Sequence, residues 1–161
     1  MATSKAPDVP EIPRVLAPPP VIFLGALALG AILQVLWPLS LFAHSLEARV
    51  AGGCMVLGGL ALSGAVMYYF ARAGTPVMPW RETRRLVVWG PYRFSRNPDY
   101  VGQALLVGGL ALLFAVPWVF LALLPALLIL RYGVISREER YLERRFGEEY
   151  RQYCAHVRRW L

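Results

Sequence analysis

The stretch YVGQALLVGGLALLFAVPWVFLALLPALLIL, residues 100–130, contains no charged side chain. Wound as one helix it would measure about 46 Å at 1.5 Å per residue. That exceeds the roughly 30 Å of a bilayer's hydrocarbon core. Pro117 stands near its middle, so the run reads as two helices turning at Val116–Pro117. Proline fits the start of the second helix, where a missing N–H costs little. Two further apolar stretches, Val21 to Trp37 and Val50 to Phe70, approach the roughly 20 residues that one crossing needs.

Composition agrees with a membrane setting. Of 161 residues, 57% are hydrophobic and 17% charged, more apolar than an ordinary soluble domain. The length suits a single domain. The expected fold is all-α, a polytopic membrane helix bundle with about four transmembrane helices, near 21–42, 48–70, 100–116 and 117–135. A flexible, proline-rich tail of residues 1–20 precedes one domain of residues 21–161. That domain includes a cytoplasmic loop, 71–99, and cytoplasmic C-terminal helices, 136–161.

The net charge of +7 is unevenly placed. Arg72, Arg81, Arg84, Arg85, Arg93 and Arg96 fall between the second and third apolar segments. Arg131, Arg137, Arg140, Arg144, Arg145, Arg151, Arg158 and Arg159 follow the last. The connection between the first two segments has only Arg49 as a basic residue, and the turn near Val116 has none. With four crossings, both termini and the central loop share the cytoplasmic face of a bacterial inner membrane. Anionic headgroups there would attract this basic surface, which argues for membrane lipids as partners and against nucleic acid. Cys54, Cys154, His44 and His156 are too scattered to suggest a disulfide or a metal site.

Gly52, Gly53, Gly58, Gly59, Ser63 and Gly64 in the second segment, and Gly102, Gly108 and Gly109 in the third, suit close helix packing. In the loop, Gly74, Pro76, Pro79, Gly90, Pro91 and Pro98 impose a folded-back path, with one apolar patch at Leu86–Trp89. Beyond Leu130 the helix should continue through Ser136–Phe146 and break at Gly147. A short amphipathic piece follows, with Tyr150, Tyr153, Val157 and Trp160 as an anchoring stripe. Glu138 and Glu139 lie about two turns past the apolar run, at the depth of the folded loop. Facing Arg93 and Arg96 they could form a polar pocket capped by tyrosines. Alone, such a pair more often marks surface pairing with arginine at i+4.

Two blocks sharpen this. Gly90-Pro91-Tyr92-Arg93 with Arg96-Asn97-Pro98-Asp99-Tyr100-Val101-Gly102 resembles a signature of the isoprenylcysteine carboxyl methyltransferase-like and phospholipid methyltransferase proteins. Glu138-Glu139, Leu142, Phe146-Gly147-Glu148-Glu149-Tyr150 and Tyr153 resemble that family's C-terminal block. The resemblance covers about Gly74 to Leu161. It implies an integral membrane methyltransferase using S-adenosyl-L-methionine, without a Rossmann domain or metal, and acting on a lipid or isoprenoid-like amphiphile. Carried over by position, Arg84, Arg85, Leu86, Val87, Tyr92, Asn97, Pro98, Tyr100 and Glu138 would bind the cofactor. Glu139 would serve as base for an amine acceptor.

Two positions depart from the family pattern. Asn97 stands where many relatives have histidine. Val134 stands where the eukaryotic prenylcysteine enzymes have an acceptor-binding arginine, leaving Arg131 or Arg137 to substitute. Two other readings compete: an NADPH-dependent membrane reductase of related architecture, which 161 residues leave little room for, and a non-catalytic scaffold or assembly factor that keeps the shape.

Overall fold

The computed structural model describes residues 13, 15–41, 45–78 and 81–161. Most of the expected N-terminal tail, residues 1–12 and 14, lies outside the described residues, as do Pro79 and Trp80 of the loop.

Helix α1, Pro19–Leu36, begins at the proline run, whose fixed φ suits a first helical turn. It stops at Leu36, before Pro38, and the Trp37 N–H donates to the Leu33 carbonyl. Helix α2, Leu46–Ala73, is capped by Ser45, whose Oγ accepts from the Ala48 N–H at 3.2 Å. It ends at Gly74, with φ of 65°, in the left-handed region that favours glycine. After the loop, α3 spans Pro98–Leu113. Pro117 then precedes α4, Trp118–Ile129, as its position in the sequence predicts.

From Trp118 the chain stays helical to Phe146. This rod comprises α4, a π-helical segment Leu130–Ile135, and the charged helix α5, Ser136–Phe146. Gly147 breaks it, and α6, Glu148–His156, folds back. The extended last helix is as expected; the π segment is not. Among the described residues there is no strand.

Among the described residues, three helices are long and apolar enough to cross a membrane: Pro19–Leu36, Leu46–Ala73 and Trp118–Phe146. The fourth apolar helix, α3, has 16 residues and about 24 Å of length, less than a typical hydrocarbon core. Outward-facing Leu24, Val35, Leu57 and Leu124 are more than half exposed, as side chains in contact with lipid would be.

Glycines hold α2 and α3 together. A Cβ on Gly59 would stand 2.5 Å from the Gly102 carbonyl oxygen, and one on Gly109 would stand 2.7 Å from that of Gly52. The pairs are seven residues apart on both helices, so the two contacts fall two turns apart on facing stripes. Lipid supplies little hydrophobic drive between helices, and such backbone contact replaces it. Gly30 likewise receives Val119 of α4. The core centres on the fully buried Val119, Leu130, Val134 and Ile135, with Phe23 of α1 against them.

Gly59→Ala should destabilise the detergent-solubilised protein by about 1–3 kcal/mol, because the clash is with backbone. Gly58→Ala, next in sequence but facing open space, should cost little. Equal melting temperatures for the two variants would refute the glycine seam.

Candidate active site

The loop after α2 folds back on itself. Buried Thr75 accepts from the Arg84 N–H at 2.9 Å through its Oγ1, closing one lobe. The Tyr141 hydroxyl of α5 accepts from the Thr83 N–H, 3.2 Å away, which docks the lobe on the last helix. Leu86 and Val87 are thereby buried. Gly90 starts a 3-10 turn, Gly90–Arg93, with φ of 65° and the Tyr69 ring so close that a side chain has no room. This turn sets the Tyr92 ring beside Phe70, centroids 5.5 Å apart. The Tyr153 hydroxyl donates to the Tyr92 carbonyl at 2.8 Å.

The chain's last residues bind the next part of the loop. The Arg96 N–H donates to the Arg158 carbonyl at 2.9 Å, and Asn97 Nδ2 donates to the Arg159 carbonyl at 2.8 Å. Arg159 in turn grips Glu139: its Nε and Nη2 lie 2.9 and 2.6 Å from the two carboxylate oxygens. Arg96 Nη1 approaches the same carboxylate at 3.3 Å. Both Glu139 oxygens are therefore engaged, and the Glu139 contact raises the affinity of Arg159 for its proton.

Glu138 has a different environment. It is half-buried on the wall of a cavity of about 200 Å³ between the loop, the head of α3 and α5. The Tyr100 hydroxyl donates to its Oε1 at 2.7 Å. Glu138 lies past Ile135, where the apolar part of the last helix ends. Loss of water pushes its carboxyl up to about 7; the Tyr100 bond opposes this, while Asp99 and Glu139 add to it. Folding therefore favours the protonated form. That stability is complete below the ordinary carboxylate range and is lost as pH climbs through about 7. Burial also raises the Tyr92 phenol well above its usual range, with Asp99 and Glu138 reinforcing it, so it remains a hydroxyl donor.

Arg85, Leu86, Val87, Tyr92, Asn97, Tyr100, Glu138 and Glu139 all line this one cavity. Arg84 and Pro98 do not. Arg84 offers its backbone to Thr75, and Pro98 is fully buried at the start of α3. Arg93 is exposed and off the wall. Arg131 lies on a second cleft, with Leu127, Leu128 and Trp160.

Sequence reasoning passed over Asp99 and Gln103. They join at 2.7 Å on the first turn of α3 and line the cavity. An i, i+4 polar pair heading an apolar helix was the available signal. Tyr150 and Tyr153, read as a bilayer-anchoring stripe, instead form cavity wall, and Tyr150 is buried. Among the described residues no group of three His, Cys, Asp or Glu gathers as a metal would require. The cavity is lined by aromatic rings, amides and charged side chains, with Glu138 hydrogen-bonded to Tyr100 on its wall.

The sequence profile of the phospholipid methyltransferase family matches residues 48–149, from the start of α2 into α6. The chain belongs to this family. The match extends the resemblance carried by the loop and C-terminal blocks back through α2. An uncharacterized protein of Haemophilus influenzae is 48% identical over 42 residues, which cover 26% of this chain and 67% of that protein. No solved structure matches.

Tyr100→Phe removes the hydrogen bond that favours the Glu138 carboxylate. Its titration, followed by the carboxyl stretch in infrared difference spectra, should move above about 7. An unchanged titration would show that Tyr100 does not control Glu138.

Proposed function

We propose that this membrane methyltransferase uses S-adenosyl-L-methionine to methylate a lipid or lipid-like amphiphile at the cytoplasmic face of a bacterial inner membrane. In this reading the proline-rich loop, the C-terminal helices and both termini share that face, and residues 21–161 act as one domain. The arginine bias of the loop and tail supports the orientation. The observation carrying the reading is the cavity itself, where the two family blocks meet around Glu138.

The donor set suits that cofactor. Tyr92 and Tyr100 offer aromatic faces for a sulfonium or an adenine, and Arg85 offers a partner for a carboxylate. Backbone groups at Leu86 and Val87 are near enough to the cavity to hold polar edges. Glu138 can accept from ribose hydroxyls or an ammonium group. Asn97 acts by position, its amide tying the loop to the C-terminal strap, and Arg84 and Pro98 shape the loop behind the wall.

When bound, S-adenosyl-L-methionine supplies a methyl group made electrophilic by its sulfonium. The protein's part is chiefly to align acceptor and donor, worth up to about 7–11 kcal/mol in ideal cases. An amine acceptor must also lose a proton. Glu138, tuned to about 7, suits that step at neutral pH better than Glu139, whose oxygens are already held by Arg159 and Arg96. Glu139 then serves as the anchor of the loop. A carboxylate or thiolate acceptor needs no base.

Calorimetry on the detergent-purified protein tests this. Wild type should bind S-adenosyl-L-methionine, and Glu138→Ala should abolish binding. Because the ligand is cationic, affinity should fall up to about tenfold per pH unit below 7, where Glu138 becomes neutral. Glu138→Gln should remove that pH dependence. A folded wild-type protein that binds none would refute the proposal. Incubation of host membranes with labelled cofactor, followed by mass spectrometry, would then identify the acceptor.

A further inference from the structure

A second cleft, of about 430 Å³, opens on the outer side of the bundle between α3 and α4. Ala104 and Leu105 come from α3, Leu127 and Leu128 from α4, and Trp160 of the C-terminal strap closes one end. Arg131 stands on the same cleft, exposed. Its Cα lies 13 residues past Trp118, about 20 Å along the helix, so it has not cleared a hydrocarbon core of about 30 Å. Among the described residues no carboxylate pairs with it. Its guanidinium lies over the Tyr132 ring, 5.5 Å away.

An arginine at this depth is costly unless its flexible stem carries the guanidinium to the headgroup layer and an anion meets it there. The cleft beside it is lined mostly by apolar side chains of α3 and α4, against which an acyl chain would lie. We infer that this cleft binds an anionic phospholipid, one acyl chain lying between α3 and α4 and the phosphate on Arg131. Trp160, at the closing end, suits the interface between chain and headgroup. Planar guanidinium and phosphate match in a bidentate pair, which a zwitterionic headgroup's own ammonium would weaken by competing for the phosphate.

The site is distinct from the cavity around Glu138, and its occupancy requires no methyl transfer. Trp160 nevertheless ties the two together. It follows Arg159 directly, so a lipid packed on it would help hold the strap that fastens Asn97 and Glu139.

The test uses the full-length protein in nanodiscs of equimolar phosphatidylglycerol and phosphatidylcholine. It is extracted into mild detergent, and retained lipid is counted by native mass spectrometry without S-adenosyl-L-methionine. Wild type should retain phosphatidylglycerol at least fivefold over phosphatidylcholine. Arg131→Gln should remove that preference, whereas Arg140→Gln, at an exposed arginine whose Nε bonds the Ser136 carbonyl, should keep it. Ala104→Phe, which fills the cleft, should lower retention of both lipids at least fivefold. Equal retention of the two lipids by wild type would overturn the inference. So would equal losses in Arg131→Gln and Arg140→Gln, which would indicate a diffuse basic surface, or wild-type retention by Ala104→Phe.

Discussion

The carboxylate of Glu139 is where three separate parts of the chain are joined. It extends from α5, takes two hydrogen bonds from Arg159 in the C-terminal strap, and lies 3.3 Å from Arg96 in the loop. Its side chain is 17% exposed, as is that of Arg96, so neither charge is left to bulk water. Such a cluster gains little against an apolar replacement of equal volume, yet losing one member strands the others at several times that cost. Other long-range tethers reinforce the loop, among them the Tyr141–Thr83 bond, the Arg145–Glu82 ion pair at 2.8 Å, the Tyr153 bond to the Tyr92 carbonyl, the Arg96 contact with Cys154 Sγ, and the strap carbonyls that receive Arg96, Asn97 and Ser95. The cavity's shape thus rests on this salt bridge together with the buried Leu86, Val87, Tyr141 and Tyr150 of its wall.

The rod from Trp118 to Phe146 determines which way that carboxylate points. A π-helical segment takes more residues per turn than an α-helix, so everything after it is rotated relative to an unbroken helix. One extra residue corresponds to about 100°. The segment at Leu130–Ile135 ends three residues before Glu138. It brings Val134 and Ile135 fully into the core and leaves Glu138 and Glu139 facing the loop. Pro125, five residues earlier, withdraws one hydrogen-bond donor from the same rod. The Gly133 carbonyl accepts from the Leu16 N–H at 3.0 Å, so the chain before α1 binds where the helix is irregular.

Much of this was legible in the sequence because membrane helices write themselves in composition. The turn at Pro117, the break at Gly147, the extended last helix and the glycine stripes all follow from residue type alone. Of the stripes, Gly52, Gly59 and Ser63 of α2 meet Gly102, Gly108 and Gly109 on α3's side of the seam, Gly108 through Met55, while Gly53, Gly58 and Gly64 face open space; periodicity does not say which face meets a partner. Tyr92, Asn97, Tyr100, Glu138 and Glu139 were legible through the two family blocks, and Arg85, Leu86 and Val87 through their position ahead of the first; all line one cavity. What stayed hidden depends on non-local geometry. Nothing in LRYGVI declares a π register, and nothing in the run of arginines near the end marks Arg158 and Arg159 as the residues whose carbonyls receive the loop. Arg131 was drawn toward the acceptor site by its distance along the chain from Glu138. Rotation about the helix axis places it on the other cleft.

The adjacent glutamates of α5 meet different partners. Glu138 and Glu139 share a backbone and differ by one residue, about 100° around the axis. Glu139 meets two guanidiniums, while Glu138 accepts from a tyrosine hydroxyl on the wall of the cavity. A carboxylate that must hold a loop needs cations on both oxygens. A carboxylate that must take up or release a proton near neutrality needs those cations kept away, with desolvation raising its affinity for the proton. Glu139 holds Arg96 and Arg159, and its own negative charge adds to the rise in proton affinity at Glu138 that burial begins.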